Sequence, residues 1–262
     1  MGSEHAPLFF ISDAHLGADS PAEEKTKSAR LHAFWEYVER SGADLVIVGD
    51  LFDFWFEFRH AVPSLHFDHL AALRRLTAAG HTVHYIAGNH DFWAGRYFRE
   101  ELGLHFHRDE WATVAGGARV VFRHGDGWLP REYGYRLMRS VLRSPVSVRL
   151  FQMLSPDLGF PLARRVSSYG KERHPLTARA LAANADAARE RLRQGADVLV
   201  TAHLHEPLHF VWPEGQWLVA GDWMRHFSFG VIASDGPGLY LWHDSGSHRP
   251  VEPQAALPVV PG

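Results

Sequence analysis

Short apolar runs that stop abruptly at polar clusters set the rhythm of this chain. Leu8-Phe9-Phe10-Ile11 ends at Ser12-Asp13-Ala14-His15-Leu16-Gly17, the pattern of a buried strand entering a polar loop. Apolar residues then recur at helical spacing between Thr26 and Arg40, and Ser41-Gly42 closes that segment. The cycle repeats. Asp44 to Val48 predicts a strand ending at Gly49-Asp50-Leu51-Phe52-Asp53, Asp68 to Ala79 a helix, and Thr82 to Ala87 a strand running into Gly88-Asn89-His90-Asp91. Strands separated by helices in this order imply a largely parallel sheet.

Short β segments follow near Trp111 to Val114 and Ala118 to Phe122, the second opening at once into Arg123-His124-Gly125-Asp126. Between about 130 and 175 no strand pattern is present. Arg-rich helical stretches broken by Pro145, Pro156, Pro161 and Pro175 predict a helical insertion, and a core helix follows over Leu176 to Arg193. Asp197 to Thr201 predicts a strand ending at Ala202-His203-Leu204-His205-Glu206-Pro207. Further β regions are expected around 208–212, 216–219 and 227–241, with a flexible Pro-rich tail at about 248–262. The 262 residues are read as a single domain carrying one insertion.

Composition narrows the chemistry. No stretch approaches the roughly 18 uninterrupted apolar residues of a membrane span, and residues 1–5 do not open a signal sequence, so the expected location is the cytosol. With 27 Lys+Arg against 30 Asp+Glu the formal charge is −3, which disfavours a long polyanion, so no nucleic-acid partner is expected. There is no cysteine, which removes disulfides, thiolate metal sites and Cys nucleophiles together. Any metal must be held by nitrogen and oxygen. Nineteen histidines are available for that task.

Five predicted strand ends carry Asp13-x-His15, Gly49-Asp50-x-x-Asp53, Gly88-Asn89-His90-Asp91, His124-Gly125-Asp126 and His203-x-His205. Loops at the carboxyl ends of strands in an open α/β sheet converge on one crevice. Three carboxylate or amide side chains (Asp13, Asp50, Asn89) and four imidazoles (His15, His124, His203, His205) then form a set for two divalent ions. Metals roughly 3.5–4 Å apart need a shared anion, for which Asp50 is the candidate. In an extended segment residues i and i+2 point the same way, which would bring both members of each D-x-H or H-x-H pair to one centre. Asp53, Asp91 and Asp126 suit either orientation of the imidazoles or closure of the turns that carry them.

The ordered set resembles the calcineurin-like metallophosphoesterases, with Ala202 standing where that pattern has Gly. The resemblance implies a four-layer αββα sandwich and a metal-dependent hydrolase. It also implies that Asp13, His15, Asp50 and His205 hold one ion, and Asp50, Asn89, His124 and His203 the other. His90, with Asn89 and Asp50, would act on the reacting phosphate, His90 stabilising or protonating the leaving oxygen. Two such ions lower the pKa of a water between them and neutralise phosphoryl charge during an in-line displacement.

Leu51-Phe52-Asp53-Phe54-Trp55-Phe56-Glu57-Phe58 places aromatic rings directly after a metal loop, and eight residues are not all expected to point inward. Rings near a metal centre suit a ligand with acyl chains or a base. This stretch, with Phe92-Trp93, the insertion and Gly221-Asp222-Trp223, resembles the UDP-2,3-diacylglucosamine pyrophosphatase family of lipid A synthesis. One group of that family has Arg where this chain has His90. The resemblance implies release of UMP and 2,3-diacylglucosamine 1-phosphate, manganese as the ion, a helical lid at 130–175 and peripheral contact with the cytoplasmic face of the inner membrane. It places Glu132, Tyr135, Arg165, Ser168 and Lys171 against the substrate. Mixed His, Asp and Asn ligation also suits Fe, Zn, Co or Ni. The alternatives are a phosphodiesterase for another nucleotide or phosphodiester, and a non-catalytic scaffold of the same fold. No protein partner follows from the sequence.

Overall fold

A computed structural model describes residues 6–58, 60–129, 131–161, 176–243 and 246–257. Seven strands form one sheet in the order β12 (His248–Pro250), β11 (Gly236–Trp242), β10 (Ser228–Ala233), β1 (Leu8–Ile11), β2 (Asp44–Ile47), β3 (Val83–Ile86) and β4 (His105–His107). Five more form a second, in the order β5 (Glu110–Ala115), β6 (Ala118–Arg123), β7 (Val198–Thr201), β9 (Gly215–Ala220) and β8 (Pro207–Trp212). The strands that carry the polar motifs run parallel: β1 with β2, β2 with β3, and β6 with β7. Antiparallel hairpins occupy the flanks, so the expected β region at 227–241 resolves into the β10–β11 pair.

Alternation along the strands divides the interior into layers. Phe9, Ile11, Leu45 and Ile47 face α1 (Pro21–Ser41), α2 (Phe67–Ala78) and α3 (Arg96–Glu100), packing on Leu31, Phe34, Trp35, Leu73 and Phe98. Leu8, Phe10 and Val46 point the other way and meet Val120, Phe122, Val198 and Val200 of the second sheet. The outer face of that sheet packs Val121 and Leu199 on Leu181, Ala185, Ala188 and Leu192 of α6 (Ala178–Arg193). The result is the expected αββα sandwich.

Helix α1 begins five residues before the expected start because Ser20 and Glu23 form a reciprocal capping box with Pro21 in the first turn. It ends at Gly42 with φ 68°, a left-handed cap. The aromatic stretch is buried more completely than expected because it divides between two cores. Phe52 and Trp55 enter the α1–α2 layer, while Phe54 and Phe56 join Trp93, Val148, Phe151 and Phe160 in a separate cluster.

That second cluster anchors the insertion. Its described part comprises α4 (Tyr133–Leu142), α5 (Pro145–Gln152) and a helical segment over 156–161. Neither α4 nor α5 contains a fully buried residue, and Leu137, Leu150 and Met153 are 68%, 61% and 81% exposed. Trp93 donates its indole N–H to the Leu142 carbonyl at 3.0 Å.

The expected flexible tail is instead built into the fold as far as residue 257. Backbone pairing is the reason: β12 pairs with β11, and Gln254 then bridges to β8, donating its N–H to His209 O at 2.8 Å and accepting from Val211 N at 2.9 Å.

Candidate metal centre

Loops at the ends of β1, β2, β3, β6 and β7 meet at the carboxyl edge of both sheets. Their backbones are bonded to one another: Asp13 N to Gly49 O at 3.2 Å, His15 N to Asp50 O at 3.0 Å and Ala202 N to His124 O at 2.9 Å. The side chains converge by a route different from the expected extended one. Asp13, His15, Asp50, His203 and His205 all have left-handed backbones, with φ of 49°, 43°, 53°, 68° and 58°. The only other such non-glycine among the described residues is Phe227. Each conformation costs of order 1 kcal/mol, and strain of this kind concentrates at functional sites. Close approach of loops also dictates two glycines. A Cβ on Gly49 would lie 2.6 Å from His124 Nδ1, and one on Gly88 would overlap Asp50 Oδ1.

All seven expected ligand residues lie together, as two groups joined through Asp50. In the first, His205 Nε2 is 3.2 Å and His15 Nε2 3.6 Å from Asp13 Oδ1. In the second, Asp50, His124 and His203 cluster, with His124 Nε2 3.2 Å from Asp50 Oδ2 and 3.1 Å from Asn89 Oδ1. The same Asp50 oxygen is 3.8 Å from His15 Nε2, so this carboxylate faces both groups. His90 stands beside them. Its ring packs edge-on to His15 with centroids 4.6 Å apart, and its Nδ1 donates to Asp53 O at 2.7 Å.

Burial opposes ionisation of Asp13, yet His205 and His15 hold its carboxyl well below the usual range. Asp50 behaves likewise, with His124 and His90 outweighing burial. Burial pushes His15 down and His203 down to about 4. It also acts against protonation of His124 and His205, but Asp50 raises the first well above its ordinary value and Asp13 raises the second. Two ionised carboxylates among imidazoles are suited to a divalent cation. Asp13 Oδ1 and both ring nitrogens of His15 are buried without a hydrogen bond of acceptable geometry. Such atoms are costly to leave unmatched, and a coordinated ion satisfies them. The donor set therefore fits divalent metal.

Around this set, carboxylates close the turns. Asp91, raised to about 7 by burial and by Asp50, accepts from Gly88 N at 2.8 Å, Leu51 N at 3.1 Å and the Tyr85 hydroxyl. Asp126 accepts from the Tyr135 hydroxyl at 2.9 Å. Glu132 accepts from Leu129 N at 2.9 Å, so both Glu132 and Tyr135 are tied to the approach to α4. Arg165, Ser168 and Lys171 lie outside the described residues. Sequence reasoning gave no role to Asp222, whose Oδ1 collects the N–H groups of Met224, Arg225 and His226 at 2.8–3.1 Å. The next residue, Trp223, donates its N–H to Asp13 O at 3.1 Å, so this turn buttresses the first group. A Gly-Asp pair directly after a strand was the available signal.

The calcineurin-like phosphoesterase family pattern matches residues 6–207. The chain belongs to that family. Calcineurin-like phosphoesterases are metal-dependent hydrolases that use divalent ions, in keeping with the donor groups above. Among curated relatives, the UDP-2,3-diacylglucosamine hydrolase of Porphyromonas gingivalis is 29% identical over 257 residues, covering 89% of this chain and 96% of its own. The proteins of the same name from Nitrosococcus oceani and Azotobacter vinelandii are each 32% identical, covering 83% and 88% of this chain and 87% and 95% of theirs.

Proposed function

We propose that this calcineurin-like phosphoesterase hydrolyses the pyrophosphate of UDP-2,3-diacylglucosamine to 2,3-diacylglucosamine 1-phosphate and UMP, a step of lipid A synthesis. The observation that carries the reading is the pair of donor groups sharing Asp50 at the ends of five strands. The substrate follows the names and coverage of the curated relatives. Asp13, His15, Asp50 and His205 would hold one divalent ion, and Asp50, Asn89, His124 and His203 the other, with manganese in both. Bound ions activate water and neutralise phosphoryl charge.

The protein's own residues supply orientation and a proton. Val48 O accepts from His124 Nδ1 at 2.8 Å, which fixes that ring so that Nε2 faces Asp50 and Asn89. Asp50 Oδ1 accepts from His90 N at 2.9 Å, and Asp53 O fixes the tautomer of the His90 ring. With the Nδ1 proton committed to Asp53 O, Nε2 would carry the second proton of the cationic ring, and this is the proton that would pass to the leaving oxygen. Metal-loaded protein is expected to release UMP and a lipid monophosphate, and Asp50→Ala to abolish both. Metal-loaded protein that cleaves bis-p-nitrophenyl phosphate but releases no UMP would assign the site to another phosphodiester.

The domain is single, with the insertion at 130–175 acting as a lid over the acyl chains and Glu132, Tyr135, Arg165, Ser168 and Lys171 contacting substrate. Exposed Leu137, Val141, Leu150 and Met153 accompany Arg136 and Arg149 on this insertion, while Arg139 and Arg143 are paired with Asp109. That composition supports peripheral docking on an anionic inner-membrane surface from the cytoplasmic side. Among the described residues no helix is long and apolar enough to cross a membrane. Flotation with anionic vesicles is expected at low salt and to weaken at high salt; absence of flotation at both ends the docking idea.

A further inference from the structure

Lysine is scarce in this chain, with Lys25, Lys27 and Lys171 the only three, and one of them is buried. Lys27, the seventh residue of α1, is 2% exposed. A buried ammonium costs several kcal/mol unless its donors are matched, and Lys27 has three N–H donors to match. Nζ lies 2.8 Å from Asp19 Oδ2, 2.8 Å from Glu24 Oε1 and 3.2 Å from His15 O. The third partner is the backbone of a residue in the metal centre. The same carbonyl accepts from Ala18 N at 3.0 Å, and Glu24 Oε1 accepts from Asp19 N at 3.0 Å, so residues 15–19 are strapped to the start of α1.

His15 lacks the support that His124 has. A ligating imidazole is ordinarily oriented by a hydrogen bond on its other nitrogen, as Val48 O holds His124. Neither nitrogen of His15 has a hydrogen bond of acceptable geometry: Nε2 lies 3.6 Å from Asp13 Oδ1 and Nδ1 3.8 Å from Asp53 Oδ1. With Asp53 no closer than that on Nδ1, the direction of the His15 ring depends on its left-handed backbone, at φ 43°. What holds that backbone from the helix side is Lys27.

We propose that Lys27 is the positioning residue of His15, fixing the left-handed turn that aims the His15 ring into the Asp13–His15–His205 group without touching an ion itself. This rests on the proposed ligand set. The role predicts a selective effect, since the Asp50–His124–His203 group has its own supports.

The test is titration of chelator-stripped protein with Mn²⁺ and, for its visible spectrum, Co²⁺, comparing wild type, Lys27→Met and Glu24→Gln. Lys27→Met removes the bond to His15 O; Glu24→Gln perturbs the same ion cluster but leaves that bond. Wild type is expected to bind two ions. In Lys27→Met one site weakens about tenfold or more, the cost typical of losing an orienting contact, and the other keeps its affinity. Glu24→Gln, although less stable to heat, binds both ions as wild type does. Equal affinity in Lys27→Met and wild type overturns the proposal, as does equal weakening of both sites or the same metal defect in Glu24→Gln. If Lys27→Met does not fold, Lys27→Gln is read by the same titration against the same outcomes. Wild type that binds no divalent ion defeats the ligand set itself, a different result from failure of Lys27.

Discussion

At the scale of single residues, histidines outside the metal centre are set apart by what their nitrogens touch. His69 is buried between α1 and α2, accepting from Trp35 Nε1 at 3.3 Å on Nδ1 and donating from Nε2 to Ser28 Oγ at 3.0 Å. That pattern suits only the neutral ring. Burial, with His32, His66 and Lys27 close by, pushes its pKa down to about 3. Above pH 6.5 the ring is neutral folded or unfolded and has no effect. Between pH 6.5 and 3 the unfolded chain takes up a proton that the folded one refuses, so stability falls with pH at up to about 1.4 kcal/mol per unit. His69→Gln is expected to flatten this slope in urea unfolding compared at pH 7.5 and 5.0; an unchanged slope refutes the assignment. The metal-centre residues were legible in sequence because each sits at the end of a short apolar run. Their left-handed backbones were not, since D-x-H and H-x-H spacing fits both extended and turned segments. Lys27 was invisible for another reason: its partners lie 3 to 12 residues away and share no motif.

At the scale of elements, the insertion is attached rather than integrated. Helix α5 contributes Phe151, whose ring lies 4.4 Å from Phe56 and 5.5 Å from Trp93, to a cluster separate from the three cores of the sandwich. Phe151→Ala removes a half-buried ring at a cost of about 2 kcal/mol, below the range for fully buried rings. The loss falls on a unit that can open by itself. Hydrogen exchange is expected to accelerate across α4 and α5 while the melting of the sandwich hardly moves; a matching drop in global stability would show the insertion to be part of the main cooperative unit. Elements with strong periodicity, such as α2 and α6, were read nearly to the residue. Helix α3 and strand β4 were missed because 5 and 3 residues carry too little pattern. The α1 start was missed because its signal is a cap, not an apolar stripe.

At the scale of the whole molecule, a parallel sheet was accessible from the order of strands and loops and the second sheet from the family resemblance, whereas the course of the final segment was not. Pro253, Pro258 and Pro261 argued for a loose end. Yet residues 248–257 run from the flank of one sheet to the flank of the other, and both outermost long strands there, β11 and β8, would otherwise present open rows of amides and carbonyls. Such rows recruit strands from neighbouring molecules. By covering part of these rows the segment is expected to guard against self-association, with a value that grows with concentration and is nearly invisible in dilute solution. Truncation after Ser247 is expected to yield protein that remains folded by circular dichroism but scatters light increasingly as it is concentrated, and a truncated chain that stays monomeric throughout would deny the segment that office.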